Sequence, residues 1–189
     1  YNLNLLVIIG VIIIIIIPLN ILPYKVSKEK LKLFPWLYFF AIGMGFMMVE
    51  VLLIQKYTLF IGASVYSIVT ILLTLLVASG IGSRFSERFS NKIVFPVIIA
   101  LVLLETFVYT QLSYALGDLT LPFRIIISIL FIAPLGFFMG MPFPKAGQRV
   151  GKLVDWGCAV NGAASGLGSV SILLISITYG CKLSVMIGA

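Results

Sequence analysis

Long apolar runs recur along this sequence, and they restrict its fold more than any other feature. A run of roughly 20 apolar residues, folded as a helix, is long enough to cross the ~30 Å hydrocarbon layer of a bilayer. An isolated strand in that layer would leave its backbone groups without hydrogen-bond partners, so helices are favoured. We therefore predict an all-α fold, a polytopic transmembrane helical bundle. The predicted spans are residues 3–22, 35–55, 64–82, 93–113, 122–141 and 158–180, with the start of a seventh near residue 183.

The composition argues against an ordinary water-soluble domain. Of the 189 residues, 61% are hydrophobic and 10% are charged, and the mean hydropathy is +1.21. Soluble domains are typically about 45–50% apolar and about 25% charged. We predict a single transmembrane helical domain over residues 1–189. Because the sequence begins at Tyr1 rather than at a methionine and stops inside an apolar stretch, we expect it to be a fragment of a longer chain.

The basic residues gather in short connections between the predicted spans. The net charge is +7, from 13 basic and 6 acidic residues, which in a soluble protein would suggest a nucleic-acid partner. Most of the basic residues instead lie in the connections at 23–34, 83–92 and 142–157. The positive-inside rule makes these connections cytoplasmic and puts the residue-1 end outside. We expect a prokaryotic cytoplasmic membrane, with the lipid bilayer and not nucleic acid as the partner.

Two carboxylates, Glu50 and Glu105, fall inside predicted spans. An ionisable group in lipid is costly unless it is paired, hydrated or neutralised, so each is a candidate functional site. One interpretation is a proton or cation site. The other, which we favour, is a neutral acid or an ion pair between helices, with Lys56 or Arg124 as the partner.

Gln55 and Asn161 are the other conspicuous polar side chains within the spans, along with several serines and threonines. Inside a membrane an amide more often joins helices by hydrogen bonds than binds a ligand. We therefore favour a packing role for these two residues and keep ligand binding as the alternative.

Small residues and prolines mark helix contacts and one sharp turn. Gly136 and Gly140 have the GxxxG spacing, as do Gly162 and Gly166, and this spacing lets helix backbones approach closely. Opening of a substrate cavity by unwound helix is the alternative. Pro142 and Pro144 should end the fifth span, because proline lacks a backbone donor and disfavours helix in the preceding residue. The stretch that follows them is predicted to be a cytoplasmic elbow.

The sequence offers no catalytic constellation. It contains no histidine, which removes the usual ligand of haem and of many zinc and copper sites, so no metal or cofactor is expected. The glycine-rich segment at 162–168 follows no soluble strand and has no lysine at the spacing of a phosphate-binding loop. Residues 1–189 therefore do not decide whether the longer chain is an enzyme.

Several ordered motifs resemble the transmembrane region of membrane-bound spermidine synthase-like proteins, over roughly residues 35–189. The motifs are AIGMGFMMVE at 41–50, IQK at 54–56, LFIG at 59–62, SGIGS at 79–83, PLGFFMGMPFP at 134–144 and WGCAVNGAAS at 156–165. The resemblance implies a membrane location, a helical bundle and a separate Rossmann-like domain similar to aminopropyltransferases. No such domain is recognisable in this sequence, so catalysis is not carried over to it. The resemblance also implies special roles for Glu50, Gln55, Pro142, Pro144, Asn161 and Ser165.

Three functions are compatible with the sequence. The favoured one is a scaffold, anchor or subunit of a larger membrane assembly, with other membrane subunits or a soluble transferase-like domain as partners. The second is a transporter-like domain that moves a small, cationic substrate past the intramembrane carboxylates. The third is the membrane part of a transferase whose soluble domain lies outside this chain.

Overall fold

The computed structural model describes residue 10 and residues 33–116 and 119–179. In these residues all regular structure is helical and no strand is present, which confirms the predicted all-α class for this part of the chain. The helices are α1 (Leu33–Ile61), α2 (Val65–Arg84), α3 (Asn91–Ala115), α4 (Leu121–Met139), α5 (Pro142–Val150) and α6 (Val154–Tyr179), with short 3₁₀ turns at Ser86–Arg88 and Gly151–Leu153.

Within the described residues, four helical stretches are long and apolar enough to cross a membrane. They are Leu33–Ile61, Val65–Arg84, Lys92–Tyr109 and Leu121–Val150. The sixth predicted span forms a helix, α6, but is not one of these four. Apart from residue 10, the first predicted span lies outside the described residues, and so does the start of the seventh. The predicted number of six or seven spans therefore stays a prediction. The structure does support a helical protein with helices long enough to span a membrane.

Helix α1 extends beyond the predicted span of 35–55. The predicted span ends at Gln55, but the next residue, Lys56, is only 7% exposed and the helix continues to Ile61. It ends at Gly62, whose φ of 121° lies in a region that side chains other than glycine rarely adopt. A buried lysine thus sits within the helix and does not terminate it.

The prolines after α4 produce the predicted break. Helix α4 ends at Met139, and α5 begins at Pro142, where the missing backbone donor costs nothing because the first turn of a helix has unpaired donors. The predicted elbow is thus itself a nine-residue helix. Gly151 ends α5 with φ of 58° and ψ of −118°, a backbone conformation that residues other than glycine rarely adopt.

Helices α1 and α6 form one closely packed pair. A Cβ at Gly43 would collide with the backbone oxygen of Asn161, and a Cβ at Gly157 would lie 2.6 Å from the ring of Phe39. The two contacts advance together along both helices, so α1 and α6 run parallel. Only glycine permits so close an approach at these positions.

Helices α2 and α4 form the second closely packed pair. A Cβ at Gly82 would collide with the carbonyl oxygen of Phe137, and a Cβ at Gly140 with the carbonyl oxygen of Ser79. The core between the two pairs is apolar and includes Leu52, Tyr57, Ile71, Leu75, Ile132, Leu135 and Ile172.

The outward faces of the spans carry large apolar side chains. Examples are Leu73 and Leu76 on α2, Phe107 on α3 and Leu130 on α4. In water such a continuous apolar surface would be unfavourable, whereas lipid tails are as apolar as leucine. The exposed surface therefore suits a bilayer.

Candidate functional site

The predicted carboxylate Glu105 lies in the interior, between α1 and α3. It is only 4% exposed, and the hydroxyl of Tyr57 donates a hydrogen bond of 2.7 Å to its Oε2. Tyr57 itself is fully buried. The other carboxyl oxygen, Oε1, is buried with no hydrogen-bond partner in the described residues. One oxygen is therefore available to a water molecule or a proton.

A small cavity lies beside this carboxyl group. Its volume is about 20 Å³, and Lys56, Glu105 and Thr106 are the polar residues that line it. A cavity needs roughly 10–15 Å³ to hold one water molecule. The space next to Glu105 can thus hold a single water and cannot hold a polyatomic substrate.

Lys56 lines the same cavity as Glu105 and lies beside Tyr109 of α3. Its Nζ lies 5.3 Å from the centre of the Tyr109 ring, a distance at which a cation is attracted to an aromatic face. The hydroxyl of Tyr109 in turn donates to the backbone oxygen of Lys56. The lysine charge, the carboxyl group and the two tyrosines thus form one polar cluster that joins α1 to α3.

Arg124, the second predicted partner of a carboxylate, binds backbone oxygens. Its Nε donates to the oxygen of Leu119 at 2.9 Å, and its Nη1 donates to the oxygen of Phe60 at 3.2 Å. Ser128 donates to the backbone oxygen of Arg124 itself. Arg124 therefore ties the start of α4 to the end of α1.

Glu50 and Gln55 lie on α1 and are both half-buried. Glu50 precedes Tyr57 by seven residues, so it lies on a similar face of the helix and about 10 Å along its axis. It lines none of the cavities described below or beside Glu105. The structure therefore does not bring the two predicted carboxylates into one cavity.

A larger cavity, of about 490 Å³, lies where α4 gives way to α5. Four of the residues singled out in the sequence line it: Gly140, Pro144, Asn161 and Ser165. Residues of α1 and α2 complete the wall. The cavity is of a size common for small-molecule sites, about 300–1,000 Å³. Motifs far apart in sequence thus meet at the helix break.

The polar groups of this cavity mainly offer acceptor oxygens. The hydroxyls of Ser79, Ser83 and Ser165 donate to backbone oxygens of their own helices, which leaves their lone pairs available. The side-chain oxygen of Asn161 is buried without a hydrogen-bond partner in the described residues and lies against Gly43. A ligand with hydrogen-bond donors would complement this lining.

The remaining glycines and the proline fall into two groups. Gly136 packs against Leu75 and Ala78 of α2, and Pro142 is buried at the start of α5. By contrast, no described residue lies within 4 Å of a Cβ built at Gly162 or Gly166. The first GxxxG pair is used inside the bundle, and the second faces away from the described helices.

No group of three or more histidine, cysteine, aspartate or glutamate side chains occurs among the described residues in an arrangement that could hold a metal ion. The polar cluster and the larger cavity are the parts of the described structure that contain most of the polar residues singled out in the sequence.

Sequence reasoning did not identify the tyrosines of the polar cluster. Tyr109 follows Glu105 by four residues, which places both on one face of α3, and this spacing is a signal that could have been used. Tyr57 carries no such signal, because its pairing with Glu105 depends on how α1 packs against α3.

These features define the class of protein: a helical bundle with spans of membrane length, one buried polar cluster and one cavity at a helix break. Comparisons with protein families, with curated proteins and with solved structures give no match to this chain.

Proposed function

We propose that this chain is a membrane scaffold or subunit, whose helices hold together a larger membrane assembly. The observation that carries the proposal is a small-residue face of α6, formed by Ala159, Gly162 and Gly166, that none of the described helices covers. Ala159 and Gly162 are exposed, and no described residue lies near a Cβ at either glycine. Such a face lets another transmembrane helix approach closely.

The polar cluster supports a structural role. Its hydrogen bonds run between helices, from Tyr57 to Glu105 and from Tyr109 to the backbone of Lys56. The cavity beside Glu105 has room for about one water. A carboxyl group that is bonded within the bundle and lacks space for a substrate is better suited to joining helices than to transport.

The charge distribution supports an orientation for this scaffold. Arg84, Arg88 and Lys92 lie at or beside the connection between α2 and α3, and α5 packs there through Lys145, which donates to the backbone oxygen of Phe89. In our proposal this basic end faces the cytoplasm of a prokaryotic cell and the residue-1 end lies outside. A transferase-like domain, the partner expected from the resemblance to spermidine synthase-like proteins, would be one candidate for the assembly.

The scaffold proposal is tested on the native assembly, extracted in mild detergent and sized by native electrophoresis. Ala159→Leu and Gly162→Leu each add a bulky side chain to the uncovered face, so we expect both to reduce the size of the assembly to that of the chain alone. Ala100→Leu, which makes the same change at an exposed alanine of α3, is the matched control and should leave the size unchanged.

Two results would count against the scaffold. The intact chain could migrate at its own mass in every detergent, or Ala100→Leu could disrupt the assembly as strongly as Ala159→Leu. In the second case the effect would reflect general damage to the bundle and not loss of a docking face.

A second candidate function is supported by the 490 Å³ cavity: binding or transport of a small cationic molecule such as a protonated amine. The unpartnered oxygen of Asn161 and the hydroxyl of Ser165 would accept its hydrogen bonds. With the chain reconstituted into proteoliposomes, we expect Asn161→Leu to abolish amine uptake. Glu50→Gln should leave uptake intact because Glu50 does not line the cavity. Absence of uptake by the unmodified chain would remove this candidate.

A further inference from the structure

A cleft lies at the basic end of the bundle, between the first turns of α1 and the short helix α5. Its volume is about 360 Å³. Phe34, Phe39 and Val150 supply apolar walls, and Lys145 and Arg149 supply two positive charges. The cleft is thus apolar along its sides and cationic at one edge.

Within the described part of the chain, no carboxylate lines the cleft beside its two positive charges. Glu87, an acidic residue that contacts α5, accepts a hydrogen bond of 2.8 Å from Gln148. Lys145 donates one hydrogen bond, to the backbone oxygen of Phe89, which leaves two of its three donors available. Arg149 lies close enough to act electrostatically on Lys145. Two adjacent positive charges repel each other unless an anion lies between them.

Tyr38 adds a third polar group, from the wall of the cleft. Its hydroxyl oxygen is buried and has no hydrogen-bond partner in the described residues, and Arg149 lies close enough to act on it electrostatically. A buried hydroxyl without a partner is unfavourable, and native structures usually satisfy such groups. An anionic oxygen between Tyr38 and Arg149 would satisfy the hydroxyl and offset the charges.

We propose that this cleft binds the phosphate of an anionic phospholipid, with Tyr38, Lys145 and Arg149 around the phosphate and an acyl chain against the apolar walls. The apolar walls favour a lipid over a free phosphate ion. Phe34 is 86% exposed and Leu37 is 57% exposed, so the apolar surface continues outward from the cleft along α1. Basic pockets between helices near the cytoplasmic surface are suited to anionic head groups. The inference goes beyond the scaffold proposal and does not depend on it.

The test is native mass spectrometry of the purified chain, with lipids titrated in detergent. We expect phosphatidylglycerol to bind at least about fivefold more tightly than phosphatidylcholine, and Arg149→Gln and Lys145→Gln each to weaken phosphatidylglycerol binding about fivefold. Tyr38→Phe, which removes only the hydroxyl, should also weaken it. Arg84→Gln, a change of the same charge at the same end of the bundle, is the matched control and should have little effect because Arg84 does not line the cleft.

Each alternative result would overturn the proposal. Equal binding of the two lipids would show that the cleft has no preference for an anion, and equal effects of Arg84→Gln and Arg149→Gln would show only a general surface charge. If millimolar inorganic phosphate displaced bound phosphatidylglycerol as effectively as added phosphatidylglycerol does, the cleft would be a site for a free anion. Circular dichroism of each variant separates loss of binding from loss of the fold.

Discussion

Among single residues, Glu105 is the one least suited to the interior of an apolar bundle, and its neighbours explain how it is accommodated. Tyr57 donates to one carboxyl oxygen, and the adjoining cavity can hold one water for the other. Lys56 lines the same cavity. The hydrogen bond from Tyr57, together with a water in this cavity, would offset the cost of removing the carboxyl group from bulk water.

Removal of the Tyr57 hydroxyl should weaken the bundle. We expect Tyr57→Phe to lower the free energy of unfolding by about 1 kcal/mol, the scale of an interhelical hydrogen bond in membrane proteins. The measurement is unfolding by sodium dodecyl sulfate in mixed micelles. Tyr66→Phe is the control, because Tyr66 is 73% exposed, and it should have no effect. Equal losses in the two variants would mean that the buried hydrogen bond contributes nothing.

The sequence was sufficient to locate Glu105 inside a predicted span and to propose Lys56 or Arg124 as its partner, but it did not point to Tyr57. In the structure Tyr57 donates a hydrogen bond to Glu105, Lys56 lines the same cavity, and Arg124 donates to the backbone oxygens of Leu119 and Phe60. Such pairings are set by the rotation of one helix against another, which no single-helix pattern contains.

Among the helices, small residues set how closely the pairs approach. On α2 the two glycines of the Gly80-Ile81-Gly82 segment have different surroundings. A Cβ at Gly82 would collide with the backbone oxygen of Phe137 on α4, whereas a Cβ at Gly80 would meet nothing within 4 Å. Alanine at Gly80 changes only the helix propensity, whereas alanine at Gly82 also crowds α4. A comparison of the two variants therefore isolates the cost of the crowding.

We expect Gly82→Ala to destabilise the bundle by about 1–3 kcal/mol, because the α2 and α4 backbones would have to move apart. Gly80→Ala should change the stability by less than about 0.5 kcal/mol. Thermal unfolding in detergent, followed by circular dichroism, distinguishes the two variants. If Gly82→Ala were as stable as Gly80→Ala, the close contact between α2 and α4 would be absent in solution.

Helix positions were predicted better than helix ends. The span at 64–82 corresponds to α2 at Val65–Arg84, and the span at 122–141 to α4 at Leu121–Met139. The apolar stretch and the prolines determine these two helices locally. The end of α1 was missed because a buried lysine is stabilised by distant residues, here Tyr109 of α3.

At the scale of the whole molecule, the orientation in the membrane is the property most open to a direct test. Starting from a variant with Cys158→Ala and Cys181→Ala, single cysteines at Ala63 and Thr120 mark one end of the bundle, and one at Ser90 marks the other. An impermeant maleimide added to intact cells should label the first two and not the third, because the basic end is expected to face the cytoplasm. The opposite pattern would reverse the orientation, and labelling after permeabilisation checks that all three react.

The larger cavity shows what the motifs alone could and could not predict. Gly140, Pro144, Asn161 and Ser165 were each singled out from the sequence, but nothing in their spacing brings residues 140–144 next to residues 161–165. Their meeting requires the turn at Gly151 and the parallel packing of α6 on α1. The residues of the candidate site were therefore foreseeable one by one, and the cavity that unites them was not.

The hydrogen bond between Tyr57 and Glu105 also joins a helix made early to one made later. Because α1 precedes α3 in the chain, Tyr57 is synthesised before Glu105, and insertion in chain order would place the hydroxyl donor first. In that order we expect the carboxyl group to meet its partner during the insertion of α3. In a chain with the two helices in the reverse order, the acid would enter the lipid first, with no tyrosine to receive it.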